Sequence, residues 1–158
     1  MICDYKKLCE ALSRRFGGQY TALVRLHPRT KDVLMNTIQA PYAFDVTDYP
    51  DIQMLMVVSD LGITDYSSWI YDFVLTRRPG FLYATDKSSY VQRTGFVYPM
   101  EATPFPISED FETLLNNISE FDEAVYEAKV EDFLKDKVCV DDGHAAERVA
   151  DWLDEQMG

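Results

Sequence analysis

Residues 63–73 read ITDYSSWIYDF. The apolar residues Leu61 and Ile63 lead into Thr64-Asp65-Tyr66-Ser67-Ser68, and a helical pattern then begins. Trp69 and Ile70 pair with Phe73 and Val74 four residues on. This spacing makes 61–64 a short strand and 67–76 a helix packed on one side. The stretch is therefore a strand-to-helix junction, with two serines at the turn and a carboxylate, Asp72, one helical turn beyond.

The neighbouring segments repeat the alternation. Residues 3–16 place Tyr5, Leu8, Cys9, Leu12 and Phe16 at three- and four-residue spacing, a helix that Gly17-Gly18 ends. TALVRLHP (21–28) reads as a strand stopped by Pro28, and a looser stretch runs to Pro50-Asp51, where IQMLMVVSD begins a helix. Pro79-Gly80 turns the chain into the strand FLYA, and residues 85–107 read as one long surface loop. SEDFETLLNNI (108–118) opens as an imperfect capping box with Ser108 as the cap. Helices over about 121–137 and 144–156 finish the chain, the last capped by Asp142-Gly143. Strands alternating with helices imply an α/β fold, a Rossmann-like parallel sheet flanked by helices. In such sheets ligands bind beyond the carboxyl ends of the strands, where LHPRT and ITDYSS both fall.

A chain of 158 residues fits one domain. No apolar run approaches the ~18 residues that span a bilayer. Cys3, Cys9 and Cys139 lack metal-ligand spacing and read as reduced thiols. Charge is uneven: residues 1–100 hold 11 basic against 10 acidic side chains, and residues 101–158 hold 4 against 17. So acidic a chain is not a nucleic-acid binder, which needs clustered Lys and Arg, but its near-neutral first part can hold a small anion.

A helix start offers unpaired N–H groups and the positive end of its dipole. A phosphate seated there receives backbone hydrogen bonds, and Ser67 and Ser68 can add hydroxyl donors. The ordinary alternative is that Ser67 only caps the helix. Asp72 shares a helix face with Ser68 and can accept from the ribose hydroxyls of a nucleotide, or it is simply solvated. His27 ends its strand and is followed by Pro28-Arg29-Thr30-Lys31. Its imidazole can serve a phosphate oxygen or a leaving diphosphate, with Arg29 binding bidentately, or it can merely bond a loop carbonyl. Lys31, Arg77 and Arg78 either line the same pocket or face water, and His144 reads as exposed. No phosphate-loop, dinucleotide, nucleophile-elbow or zinc-protease motif occurs, and two distant histidines do not make a metal site.

LHPRT, followed by DVTDYPDIQMLMVVSDLGITDYSSWIYDFVLTRRPGFLYATD and then Tyr90, resembles the CDP-glycerol glycerophosphotransferase family, over about residues 20–156. These are teichoic-acid primases and polymerases of two-domain GT-B architecture. The resemblance implies that residues 1–158 form the carboxyl-terminal, donor-binding domain. CDP-glycerol would be the donor and a poly(glycerol phosphate) or lipid-linked primer the acceptor, with CMP released and no cofactor or metal. His27 would be catalytic. Arg29, Asp65, Ser67, Ser68 and Asp72 would bind substrate, the serines holding the diphosphate and Asp72 the ribose. The parent enzyme would be cytoplasmic, peripheral to the inner face of the membrane. The amino-terminal half, with its acceptor site and base, is not in this sequence, nor is the strand that commonly precedes the first helix. Thr103-Pro104-Phe105-Pro106 stands where the family has Pro-Gly-Pro. The chain thus reads as a fragment with little or no turnover alone. CDP-ribitol as donor, and a non-catalytic remnant of the fold that docks a partner, stay open.

Overall fold

The computed structural model describes residues 4–26, 38, 40–87 and 99–157. Helix α1 (Tyr5–Phe16) starts where Asp4 accepts the Lys7 N–H at 3.1 Å. It buries Leu8, Cys9, Ala11 and Leu12 and stops at Gly17 and Gly18, whose φ values of 78° and 70° lie in the left-handed region that glycine enters without strain. Strands β1 (Ala22–Val24) and β2 (Ala43–Asp45) pair in parallel, Leu23 opposite Phe44. Helix α2 (Ile52–Val58) is capped by Asp51, which accepts from Gln53 and Met54.

Strands β3 (Gly62–Thr64), β4 (Gly80–Tyr83) and β5 (Ile107–Ser108) form a second parallel sheet in that order. All four residues of β4 are buried, as a central parallel strand covered on both faces requires. Between β3 and β4 lies α3 (Trp69–Phe73), which runs directly into a 3₁₀ turn at Val74–Thr76. Helices α4 (Phe111–Ser119) and α5 (Glu123–Asp136) close the core, and α1 packs against α4. Helix α6 (Ala145–Met157) buries nothing.

Phe73, Phe81, Leu114, Ile118 and Val130 are fully buried. Phe121 joins the layers, its ring 5.6 Å from Phe16, 5.3 Å from Phe81 and 5.1 Å from Tyr126 between centroids. Gly62 and Gly80 are opposite each other in the sheet, and each makes room for an aromatic ring. A Cβ on Gly62 would lie 2.9 Å from the Trp69 ring and 3.1 Å from Phe73; one on Gly80 would lie 2.8 Å from Phe105.

The α/β architecture with parallel strands and flanking helices stands as read from the sequence. Three details differ. The described strands form a two-stranded and a three-stranded sheet, where a single sheet was expected. The long loop over 85–107 contains a 3₁₀ turn at Met100–Ala102 and runs into β5 at its end. Ser108 is not a helix cap: it is the buried end of β5, its hydroxyl accepting from Asn117 Nδ2 at 2.9 Å. Asp110 caps α4 instead, accepting from the Thr113 N–H at 2.8 Å and from the Thr113 hydroxyl at 2.9 Å. No described helix is long and apolar enough to cross a membrane.

Candidate functional site

Three parallel strands of one sheet end on the same side, so the residues after Thr64, Tyr83 and Ser108 form a common rim. Asp65, Tyr66, Ser67 and Ser68 occupy that rim after β3. Asp65 turns back on the chain: its Oδ1 accepts the Tyr66 N–H at 2.7 Å. Ser68 is the residue that begins α3, and its side chain makes no capping hydrogen bond. The helix instead closes through backbone contacts, Ile70 N–H to Ser67 O at 3.4 Å and Tyr71 N–H to Ser68 O at 3.0 Å. The cap position therefore leaves the Ser68 hydroxyl uncommitted to the helix. Ser67, Ser68, Asp65 and Asp72 are all exposed. Asp72 sits in the first turn of α3, four residues from Ser68.

What fixes this edge is a buried base. Ile70 and Phe73 are 2% and 0% exposed, and Trp69 meets Phe73 edge-on at 5.7 Å, so the polar residues of α3 are left to the solvent side. Tyr71 packs against Phe105 and stacks on Phe133.

The rim carries a polar link that the local sequence pattern did not reveal. Tyr66 Oη donates to Asp86 Oδ1 at 2.6 Å, joining the segment after β3 to the segment after β4. Burial, and then the Asp86 carboxylate, push the Tyr66 phenol far above its ordinary value. Next to it, Lys87 meets Glu101 and Glu109, and the Glu101 hydrogen bond, ahead of the weaker Glu109 contact, raises its pKa. The signal available in sequence was only that ITDY and ATD both follow strands.

Of the residues singled out in the sequence, the fold brings Asp65, Ser67, Ser68 and Asp72 to one junction. His27, Arg29 and Lys31 lie outside the described residues, as does Tyr90. Arg78 neither lines a pocket nor faces water alone: its Nη1 donates to the carbonyls of Val57 and Ser59 at 2.7 Å each, closing the end of α2. Arg77, at φ 58°, lines a cleft of about 330 Å³ with Tyr20, Asp60, Glu123 and Glu127. That cleft lies before β3 and β4, at the opposite edge of the sheet, since Leu61 and Pro79 also line it. Three carboxylates facing the one guanidinium group of Arg77 give it the wrong sign for a diphosphate. A second groove, of about 630 Å³, lies between α1 and the start of β2. His144 is exposed and paired with Glu147 at 2.9 Å. Cys9 is buried and Cys139 exposed, both free, and no described group of His, Cys, Asp or Glu is arranged to hold a metal.

Comparison with known proteins gives the fold a family. Residues 4–154 match the model of the family described as CDP-glycerol:poly(glycerophosphate) glycerophosphotransferase. The chain is 35% identical to the teichoic acid ribitol-phosphate primase of Bacillus spizizenii over 95% of its own length and 38% of that protein's. It is 31% identical to the teichoic acid poly(glycerol phosphate) polymerase of Staphylococcus epidermidis, covering 90% of this chain and 20% of the relative. A solved structure of the wall teichoic acid polymerase TagF superposes with a TM-score of 0.72 at 29% identity, over 96% of this chain and 38% of TagF. A TagF variant soaked with CDPG superposes at 0.70, over 93% of this chain and 38% of that one. The chain thus spans well under half the length of these relatives. The fold it shares with TagF is α/β and GT-B-like, and its relatives are teichoic acid transferases. The chain belongs to the CDP-glycerol:poly(glycerophosphate) glycerophosphotransferase family.

Proposed function

We propose that residues 1–158 form the single donor-binding domain of a polyol-phosphate transferase, with CDP-glycerol as the donor. The observation that carries this reading is the β3–α3 junction. Two exposed serines begin a helix that one of them does not cap, and a carboxylate stands one turn on, in a chain of this family. Ser67 and Ser68 hydrogen-bond the diphosphate while the helix start supplies N–H groups and a favourable dipole. Asp72 accepts from the ribose hydroxyls, and Asp65 borders the same rim. His27 and Arg29 are assigned to the diphosphate by the family resemblance of LHPRT.

The acceptor hydroxyl, giving its proton to the base that the family resemblance places in the amino-terminal half, attacks the phosphorus that bears glycerol, and the bond from that phosphorus to the bridging oxygen breaks. Glycerol phosphate passes to the acceptor and CMP leaves. Such transfers are catalysed by positioning and charge stabilisation. Here His27 gives a proton to the departing CMP oxygen and Arg29 offsets its charge. No step needs a cofactor or a metal. The acceptor is a polyol phosphate or a lipid-linked primer reached at the cytoplasmic face of the membrane, and this chain alone turns over little donor.

A second reading takes CDP-ribitol as the donor, favoured by the 35% identity to a ribitol-phosphate primase. The rim residues grip the nucleotide that both donors share. Calorimetry with CDP-glycerol, CDP-ribitol, CMP and UDP separates the two. Binding of the cytidine compounds over UDP, weakened about ten-fold by Ser68→Ala through loss of one hydrogen bond to a charged group, is the expected result. Preference for CDP-ribitol establishes the second reading. No heat with any nucleotide overturns both and leaves a docking module.

A further inference from the structure

Among the described residues, β1 pairs only with β2 and β3 only with β4, so each has one free side. Alternate residues of a strand turn their backbone groups to opposite sides. Ala22 N–H donates to Tyr42 O at 2.8 Å and Val24 O accepts the Val46 N–H at 2.9 Å, so these two face β2 and Leu23 faces the free side. Gly62 N–H donates to Pro79 O at 2.9 Å, which leaves Ile63 facing away from β4. Tyr20, just before β1, lines one cleft of about 330 Å³ with Asp60 and Leu61, just before β3, and with Pro79, just before β4. The residues leading into β2 are not on that cleft, so β1 is the strand that lies towards β3. In the doubly wound order 3-2-1-4-5-6, the strands β2, β1, β3, β4 and β5 then take positions 3, 2, 4, 5 and 6. Position 1, between β1 and β3, holds no described strand.

We infer that β1 and β3 flank a position that receives an extended apolar segment, paired in parallel with Leu23 on one side and Ile63 on the other, which joins the two sheets into one. Neither edge is guarded: Ala-Leu-Val and Gly-Ile-Thr contain none of the charges or prolines that keep exposed edges from pairing. Main-chain hydrogen bonds from two sides hold such a segment. Its chemistry follows from the strand already inside the sheet. All four residues of β4 are buried, and a strand at the centre of the joined sheet is likewise covered on both faces, so the occupant is rich in Val and Ile. The position adjoins β3 at the point where the strand order reverses, beside the Asp65–Ser68 rim. The inference goes beyond the donor assignment and does not depend on it.

The test is amide hydrogen exchange of the full chain, read residue by residue by NMR, with and without the end-blocked peptide Lys-Val-Ile-Val-Ile-Val-Thr-Lys. A control peptide carries proline in place of the second valine, which removes a ladder donor. In the free chain, Leu23 and Ile63 are expected to exchange about ten-fold faster than Ala22 and Gly62, whose N–H groups are already bonded. Excess peptide is expected to slow Leu23 and Ile63 about ten-fold and to raise Tm with peptide concentration, and the proline peptide to do neither. Leu23 and Ile63 as slow as Ala22 and Gly62 in the free chain, at every protein concentration, means that the position is already filled and overturns the inference. Slow exchange that appears only at high protein concentration assigns the edges to a second copy of the chain and overturns the inference as well. So does exchange unchanged by excess peptide, or slowed equally by the proline peptide. CDP binding by the same chain reports separately on the donor reading.

Discussion

Gly62→Ala probes the seam that carries the candidate site. The new methyl would sit 2.9 Å from Trp69 Cη2 and 3.1 Å from Phe73 Cδ1 and Cε1. The Trp69 ring is partly exposed and can move aside, but Phe73 is 0% exposed and has nowhere to go. Forcing extra volume into such a core costs about 1–3 kcal/mol. Gly62 does not occupy the left-handed region, so alanine fits its backbone and recovers about 0.4–1 kcal/mol from the unfolded chain. The net loss is roughly 0.5–2 kcal/mol. With a urea dependence of about 2 kcal/mol per molar, the unfolding midpoint falls by roughly 0.3–1 M. Trimming the obstacle gives an internal control: in Gly62→Ala/Phe73→Leu the two losses are expected to sum to about 1 kcal/mol less than their separate values, as for residues in contact. A midpoint for Gly62→Ala equal to or above wild type, or strict additivity in the double variant, refutes the packing described at this rung.

Other perturbations test separate parts of the structure. Arg78→Met keeps the aliphatic stem but removes the donor to two carbonyls at the end of α2, and is expected to cost about 1.5–3 kcal/mol in urea unfolding. Asp110 has its pKa lowered, first by the Thr113 backbone N–H and then by the Thr113 hydroxyl. Its cap is therefore fully present above the ordinary value of 3.8 and lost as pH falls through the lower folded value. Acid titration by circular dichroism should accordingly show Asp110→Asn losing less stability than wild type below about pH 4. Asp142 accepts the Arg148 guanidinium at 2.6 and 2.8 Å and the His144 N–H at 3.0 Å, so Asp142→Ala should reduce the helicity of α6 while the core transition, which α6 does not enter, stays in place.

Much of this architecture is written in local pattern. The stripe Leu8, Cys9, Leu12 places α1, and the residues of FLY lie in β4 as read, because helix and buried-strand periods are visible within a few residues. β2 and β5 were not visible: they are three and two residues long, and only pairing with β1 and β4 makes them strands. Ser108 and Asp110 both suit a helix start, and the choice fell to Asp110 because Asn117, a partner in α4, takes the Ser108 hydroxyl. The helix expected over 67–76 is present as α3 with its 3₁₀ continuation. At the site, the serines and Asp72 could be singled out from a strand running into a helix. The Tyr66–Asp86 bond spans 20 residues and the Arg78 bonds about as many, and no local spacing encodes either.

The most direct test is a crystal of this chain soaked with CDP. Density for the diphosphate against Ser67 and Ser68, with the ribose hydroxyls within hydrogen-bond reach of Asp72, is the expected result. A nucleotide lodged in the acidic cleft beside Arg77, or bound with its phosphates away from the start of α3, contradicts it.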